Sequence, residues 1–103
     1  MKKILKKYCG KKLDGRYLVY LDDKLIERGK YEEGKKERLW VKYYKNGNIK
    51  SQRYYVQDKL LGFYKFYYPS GELFVLGKFI NNKKSGIWKF FDKNGKIKNI
   101  EIY

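Results

Sequence analysis

The sequence predicts an all-β fold, a single-layer antiparallel meander of stacked hairpin repeats about 24 residues long. Three observations predict it. Aromatic and glycine landmarks recur in phase along the chain. Aromatic residues make up 19% of it while alanine, the best helix former, is absent. Asn-Gly pairs, which suit tight hairpin reversals, stand between segments of strand composition.

The repeat is read from four gapless ten-residue blocks: Tyr8 to Tyr17, Tyr31 to Trp40, Tyr55 to Tyr64 and Phe79 to Trp88. Their starts are spaced 23, 24 and 24 residues apart. Each block opens and closes on an aromatic residue and carries a lysine at its fifth place (Lys12, Lys35, Lys59, Lys83). The eighth place holds Gly15, Arg38, Gly62 and Gly86. Between blocks, Tyr43 to Ile49 matches Tyr67 to Leu73 and Phe91 to Ile97, with Leu25, Ile49, Leu73 and Ile97 spaced by 24. Tyr31, Tyr55, Phe79 and Tyr103 keep the same interval. The chain is therefore one domain, 1–103. It has a worn first repeat at about 8–30 and further repeats at about 31–54, 55–78 and 79–103.

Each element follows from this phase. One reversal is expected at Asn46-Gly47, Ser70-Gly71 and Asn94-Gly95, through either a two-residue or a three-residue turn. In the first repeat Asp22-Asp23-Lys24 stands there, one residue short. The second reversal is expected inside segments such as Asn81 to Gly86. The strands between number about seven or eight, and helix is expected nowhere outside residues 1–7.

Trp40, Tyr64 and Trp88 fall in one strand phase and form a ladder on one face, read either as a seam between repeats or as a ligand stripe. In the third repeat both phases are apolar, Tyr64, Phe66 and Tyr68 against Phe63 and Tyr67. A lone sheet cannot hide both faces, so either it curls or a partner covers one. Candidate partner-binding residues are thus Trp40, Tyr64, Trp88, Phe66 and Tyr68.

The net charge is +15, carried mostly by lysine, with Arg16, Arg28, Arg38 and Arg53 the only arginines. Lysine is a hydrated point charge rather than the planar fork suited to base or phosphate recognition. Residues 14–37 are nearly neutral, with seven acids against six bases, whereas residues 38–103 carry 14 bases and four acids. Lys45, Lys65, Lys83, Lys84, Lys89 and Lys93 are candidate polyanion contacts, for anionic lipid or nucleic acid, against the plainer reading of a solvated lysine face. The acidic early repeat and basic later ones, with open sheet edges, also allow self-association.

Nothing reads as catalytic machinery. Histidine is absent, so the commonest general base is missing. Ser70 and Ser85 read as turn residues, and Ser51 lacks a base partner. Glu32 and Glu33 point to opposite faces if they share a strand. Cys9 is the only cysteine; it forms no internal disulfide and, without histidine, no zinc site, and it is read either as an inert thiol, the plainer reading, or as one activated by the nearby Lys6, Lys7, Lys11 and Lys12. No cofactor is expected. The lysine-rich start lacks the apolar stretch of a signal peptide, and the chain is expected to be soluble and cytoplasmic, with peripheral membrane association the other placement.

Aromatic-x-x-Gly/Asn-Lys-x-x-Gly-x-Trp, followed by aromatic-x-x-Asn-Gly-x-Ile, resembles the MORN variant repeat of bacteria across residues 8–103. Arg38, Asp58 and Asn82 depart from its glycines, and these departures are expected to weaken individual turns. The resemblance implies a non-catalytic module for protein interaction or membrane association, including YwqK-type antitoxin-like proteins. Similar repeats stand beside a kinase domain in plant phosphatidylinositol phosphate kinases. This chain shows no glycine-rich phosphate loop, so such a label would reflect the repeats alone.

Overall fold

A computed structural model describes residues 4–9 and 13–103. Lys11, Lys12 and the side chain of Cys9 lie outside the described residues, and with them the reading of a lysine-activated thiol. The strands are β1 (Ile4–Cys9), β2 (Gly15–Leu21), β3 (Lys24–Glu32), β4 (Lys35–Tyr43), β5 (Ile49–Val56), β6 (Lys59–Leu60), β7 (Gly62–Tyr67), β8 (Leu73–Ile80), β9 (Lys83–Phe91) and β10 (Ile97–Ile102). All pairings are antiparallel, in one sheet of order β1-β2-β3-β4-β5-β7-β8-β9-β10 with β1 and β10 at its edges and β6 paired to β5 beside β7. The slab measures 42 × 33 × 17 Å, the thin dimension being that of one sheet with its side chains.

The count exceeds the seven or eight strands expected, for two reasons. Residues 4–9, which overlap the stretch 1–7 where a helix was allowed, pair with β2 as a strand. The run from Lys59 to Tyr67, equivalent to β4 and β9, breaks at Leu61 into β6 and β7.

Two kinds of reversal alternate. Asp22-Asp23, Glu33-Gly34, Gln57-Asp58 and Asn81-Asn82 each have positive φ at both residues, from 48° to 82°, as type I′ two-residue turns require. Glu33 therefore belongs to a turn and only Glu32 to a strand. The Asn-Gly positions form three-residue turns. Tyr44 N–H donates to Asn48 O at 2.8 Å and Gly47 N–H to Tyr44 O at 3.0 Å, and Tyr68–Glu72 and Asp92–Lys96 repeat the arrangement. Asp22-Asp23 closes with one residue fewer, which accounts for the single 23-residue interval.

Gly15, Arg38, Gly62 and Gly86 are all left-handed, with φ of 94°, 65°, 83° and 69°. Each lies opposite an aromatic landmark: Gly15 pairs with Tyr31, Arg38 with Tyr55 and Gly62 with Phe79, while Gly86 and Tyr103 exchange backbone hydrogen bonds of 2.9 and 3.1 Å. Ser85 lies inside β9 rather than in a turn.

Successive type I′ turns are tied together. Asp58 N–H donates to the Lys36 carbonyl at 2.9 Å, and its carboxylate accepts from Lys36 N–H at 2.6 Å. Asn82 N–H donates to the Leu60 carbonyl at 3.0 Å, and its side-chain oxygen accepts from Leu60 N–H at 2.8 Å. Gly34, at the equivalent place, makes only the backbone bond, to Leu13 O. Asp58 and Asn82 thus add a bond that glycine cannot make, which corrects the expectation that they weaken their turns.

Candidate partner-binding surface

Cross-strand register sorts the side chains onto two faces. Tyr8, Tyr17, Tyr31, Trp40, Tyr55, Tyr64, Phe79, Trp88 and Tyr103 share one, the aromatic face. Trp40 meets Tyr31 edge-on at 5.1 Å, and Trp88 meets Phe79 in the same way at 5.1 Å. Each indole lies against a glycine backbone. A Cβ at Gly29 would stand 2.1 Å from Trp40 Cδ2, and one at Gly77 would stand 2.2 Å from Trp88 Cδ2. Lys36 Nζ sits 4.8 Å from the Trp40 ring and Lys84 Nζ 4.9 Å from that of Trp88. The glycine, lysine and tryptophan sets are each spaced by 48 residues, two repeats. Between them the same places hold Arg53, Leu60 and Tyr64, and the Arg53 guanidinium lies 5.8 Å from the Tyr64 ring. Among the described residues, ring contacts run from Tyr8 to Tyr55 and resume at Tyr64.

Trp40 and Trp88 are 4% and 3% exposed, so they fill the seam between hairpins. Tyr64 stacks on Trp88 at 5.7 Å, and with Lys84 they line a shallow hollow of about 410 Å³. Trp40 is not part of it. Phe66 and Tyr68 join Phe74 in a second cluster nearer the three-residue turns, Tyr68 stacking at 4.6 Å. The Tyr68 hydroxyl donates to the Phe91 carbonyl at 2.7 Å, as that of Tyr44 does to Tyr67 O at 2.5 Å, linking one turn to the next. Burial raises the pKa of both Tyr31 and Tyr44, with the neighbouring Tyr17 adding at Tyr31 and Tyr64 at Tyr44.

The six candidate lysines do not form one patch. Lys45 and Lys93 occupy equivalent three-residue turns, and Lys83 and Lys84 begin β9 at the other end of the hairpins. Lys65 and Lys89 lie on the face opposite the aromatics. A basic hollow of about 720 Å³ gathers Lys42, Lys45 and Lys50 around Tyr43 and Tyr44, with Glu27 at its side. Of these, only Lys45 was singled out from sequence.

The opposite face, noted from sequence only through Phe63 and Tyr67, carries exposed apolar residues outside the candidate set. Leu39, Tyr54, Phe63, Ile87 and Ile102 are 39%, 40%, 66%, 56% and 79% exposed. Leu39 pairs with Tyr54, Phe63 with Lys78 and Ile87 with Ile102. The signal was present: Leu39, Phe63 and Ile87 each stand one residue before Trp40, Tyr64 and Trp88.

Among the described residues no group of histidine, cysteine and carboxylate side chains could hold a metal ion, and no helix is long and apolar enough to cross a membrane. Fold and surface together define an all-β hairpin-repeat protein whose side chains build seams and open faces. The family model for the MORN repeat variant matches residues 39–57, 62–81 and 84–103, more than half of the chain. The chain belongs to the MORN repeat variant family. No curated protein and no solved structure matches this sequence.

Proposed function

We propose that the chain is a non-catalytic module that binds a protein partner, in an antitoxin-like or scaffolding role and in the cytoplasm. MORN repeats generally serve as protein- or lipid-binding modules. The observation that carries the reading is the single sheet layer. The aromatic seam closes one face, while the other face and both edges leave large apolar side chains in water. The test is affinity capture from the native host. One stoichiometric protein retained at about 0.5 M salt, where surface charge attraction is strongly screened, supports it. Capture that yields only salt-labile polyanions overturns it.

A second reading is a binder of anionic lipid or nucleic acid. The hollow of Lys42, Lys45 and Lys50 beside Tyr43 and Tyr44 favours it, offering cations next to flat rings. It predicts liposome or oligonucleotide binding that falls steeply with salt and drops further in Lys42→Gln/Lys50→Gln.

A further inference from the structure

A row of three paired couples, Leu39–Tyr54, Phe63–Lys78 and Ile87–Ile102, takes one side chain from each of β4, β5, β7, β8, β9 and β10. Lys78 itself pairs with Ser85, so the row steps two residues along β9 to reach Ile87. At strand spacing it spans about 24 Å. Five of the six side chains are apolar and exposed, and none is needed by the aromatic seam on the other side. Leu39, Tyr54 and Phe63 wall a shallow groove of about 340 Å³ together with Lys65.

On β4 Glu37, two residues from Leu39, pairs with Lys30, whereas from β5 onward the charge around the row is of one sign. Lys78 lies within it, and Lys65, Leu76 and Lys89 form the adjoining row. The carboxylates beyond Arg38 lie elsewhere. Asp58, Glu72 and Asp92 belong to turns, and Glu101 pairs with Trp88 on the aromatic face. Among the described residues, the opposite face of β5 to β10 therefore presents lysine and no carboxylate. A second copy laid on this face would set lysine against lysine in a dehydrating contact.

We propose that this row is the docking line for an acidic amphipathic helix of a partner protein, lying across the strands. The proposal rests on the protein-binding reading above and names the chemistry of the partner. A helix turn rises about 5.4 Å, close to the sheet's strand spacing of about 4.8 Å, so apolar side chains from successive turns fall beside successive strands. About 16 helical residues cover the row. Carboxylates flanking the apolar stripe would meet Lys65, Lys78 and Lys89.

The test uses an amphipathic leucine/glutamate peptide of about 18 residues, with a scrambled peptide of equal charge and a leucine/lysine counterpart as controls. Amide shifts of the labelled protein should move at Leu39, Tyr54, Phe63, Ile87 and Ile102 with the acidic amphipathic peptide alone. Phe63→Lys/Ile87→Lys should weaken binding at least about tenfold, and Lys78→Glu should do the same. Unchanged emission from buried Trp40 and Trp88 would show that the fold is kept. Equal binding by the scrambled peptide, or shifts confined to the Tyr43–Lys50 hollow, would overturn the proposal. So would row-dependent binding to phosphatidylserine vesicles in place of the peptide, or a concentration-dependent dimer lost in Phe63→Lys. A native partner unaffected by Phe63→Lys/Ile87→Lys would overturn this surface while leaving the protein-binding reading in place.

Discussion

Arg38 holds a backbone conformation that its three equivalents leave to glycine. Its φ of 65° sits beside 94°, 83° and 69° at Gly15, Gly62 and Gly86. Its Cβ is strained there, at a cost of about 1 kcal/mol. Arg38→Gly is expected to raise stability by about 0.5–1 kcal/mol in urea unfolding, once glycine's greater freedom in the unfolded chain is set against the relief. Gly77 is the opposite case. Its φ is ordinary, and the constraint is the indole of Trp88, whose Cδ2 a new Cβ would meet at 2.2 Å. Gly77→Ala should cost about 1–3 kcal/mol by overpacking, and the red shift of tryptophan emission should show Trp88 displaced. The glycines of the turns were legible in the sequence because they travel with Asn or close a block. Gly29 and Gly77 were not, because their requirement comes from a side chain eleven residues away in the next strand.

At the scale of the hairpin, the type I′ turns work as linked pairs. Asp58 satisfies Lys36 N–H, and Asn82 does the same for Leu60 N–H. Asp58→Asn keeps both the acceptor and the tolerance of positive φ, and should be nearly neutral. Asp58→Ala loses both and should cost about 1–2 kcal/mol, measured by thermal unfolding. The aromatic seam adds a pH dependence. Burial, then the neighbouring Tyr17, raises the Tyr31 pKa, so the folded state favours the neutral phenol. Its contribution is complete below the unfolded value of about 10 and is lost as pH rises through the higher folded value. Tyr31→Phe should therefore lose less stability than the parent on passing from neutral pH to alkaline solution, in paired melting curves. The turn type itself was left open by Asn-Gly, which suits both two- and three-residue reversals. The bond from Tyr44 N–H to Asn48 O selects the longer one.

For the whole molecule the dominant feature is a +15 charge on a thin sheet. Among the described residues one ion pair is formed, Lys30 to Glu32 at 3.1 Å, and it is largely exposed. The lysines are held instead by packing on rings, as Lys36 on Trp40 and Lys84 on Trp88. With 26 basic and 11 acidic residues, like-charge repulsion outweighs pairing, and the melting temperature followed by circular dichroism should rise between about 10 mM and about 300 mM salt as that repulsion is screened. A fall would mean that lysine–ring attraction outweighs repulsion between like charges.

Sequence alone determined the all-β class, the repeat, its 24-residue period and the phase of the aromatics, because each strand must alternate and the reversals gather glycine, asparagine and aspartate. Only the tertiary structure decided which aromatics are seam and which are surface. Trp40 and Trp88, the residues most suggestive of a binding stripe, are closed in by Gly29, Gly77 and the lysine stems. The exposed line is Leu39, Phe63 and Ile87, the residues before Trp40, Tyr64 and Trp88. Composition cannot make that distinction, since both phases are apolar. It depends on which face brings a ring over the glycine of the neighbouring strand, and that is a contact set by cross-strand register.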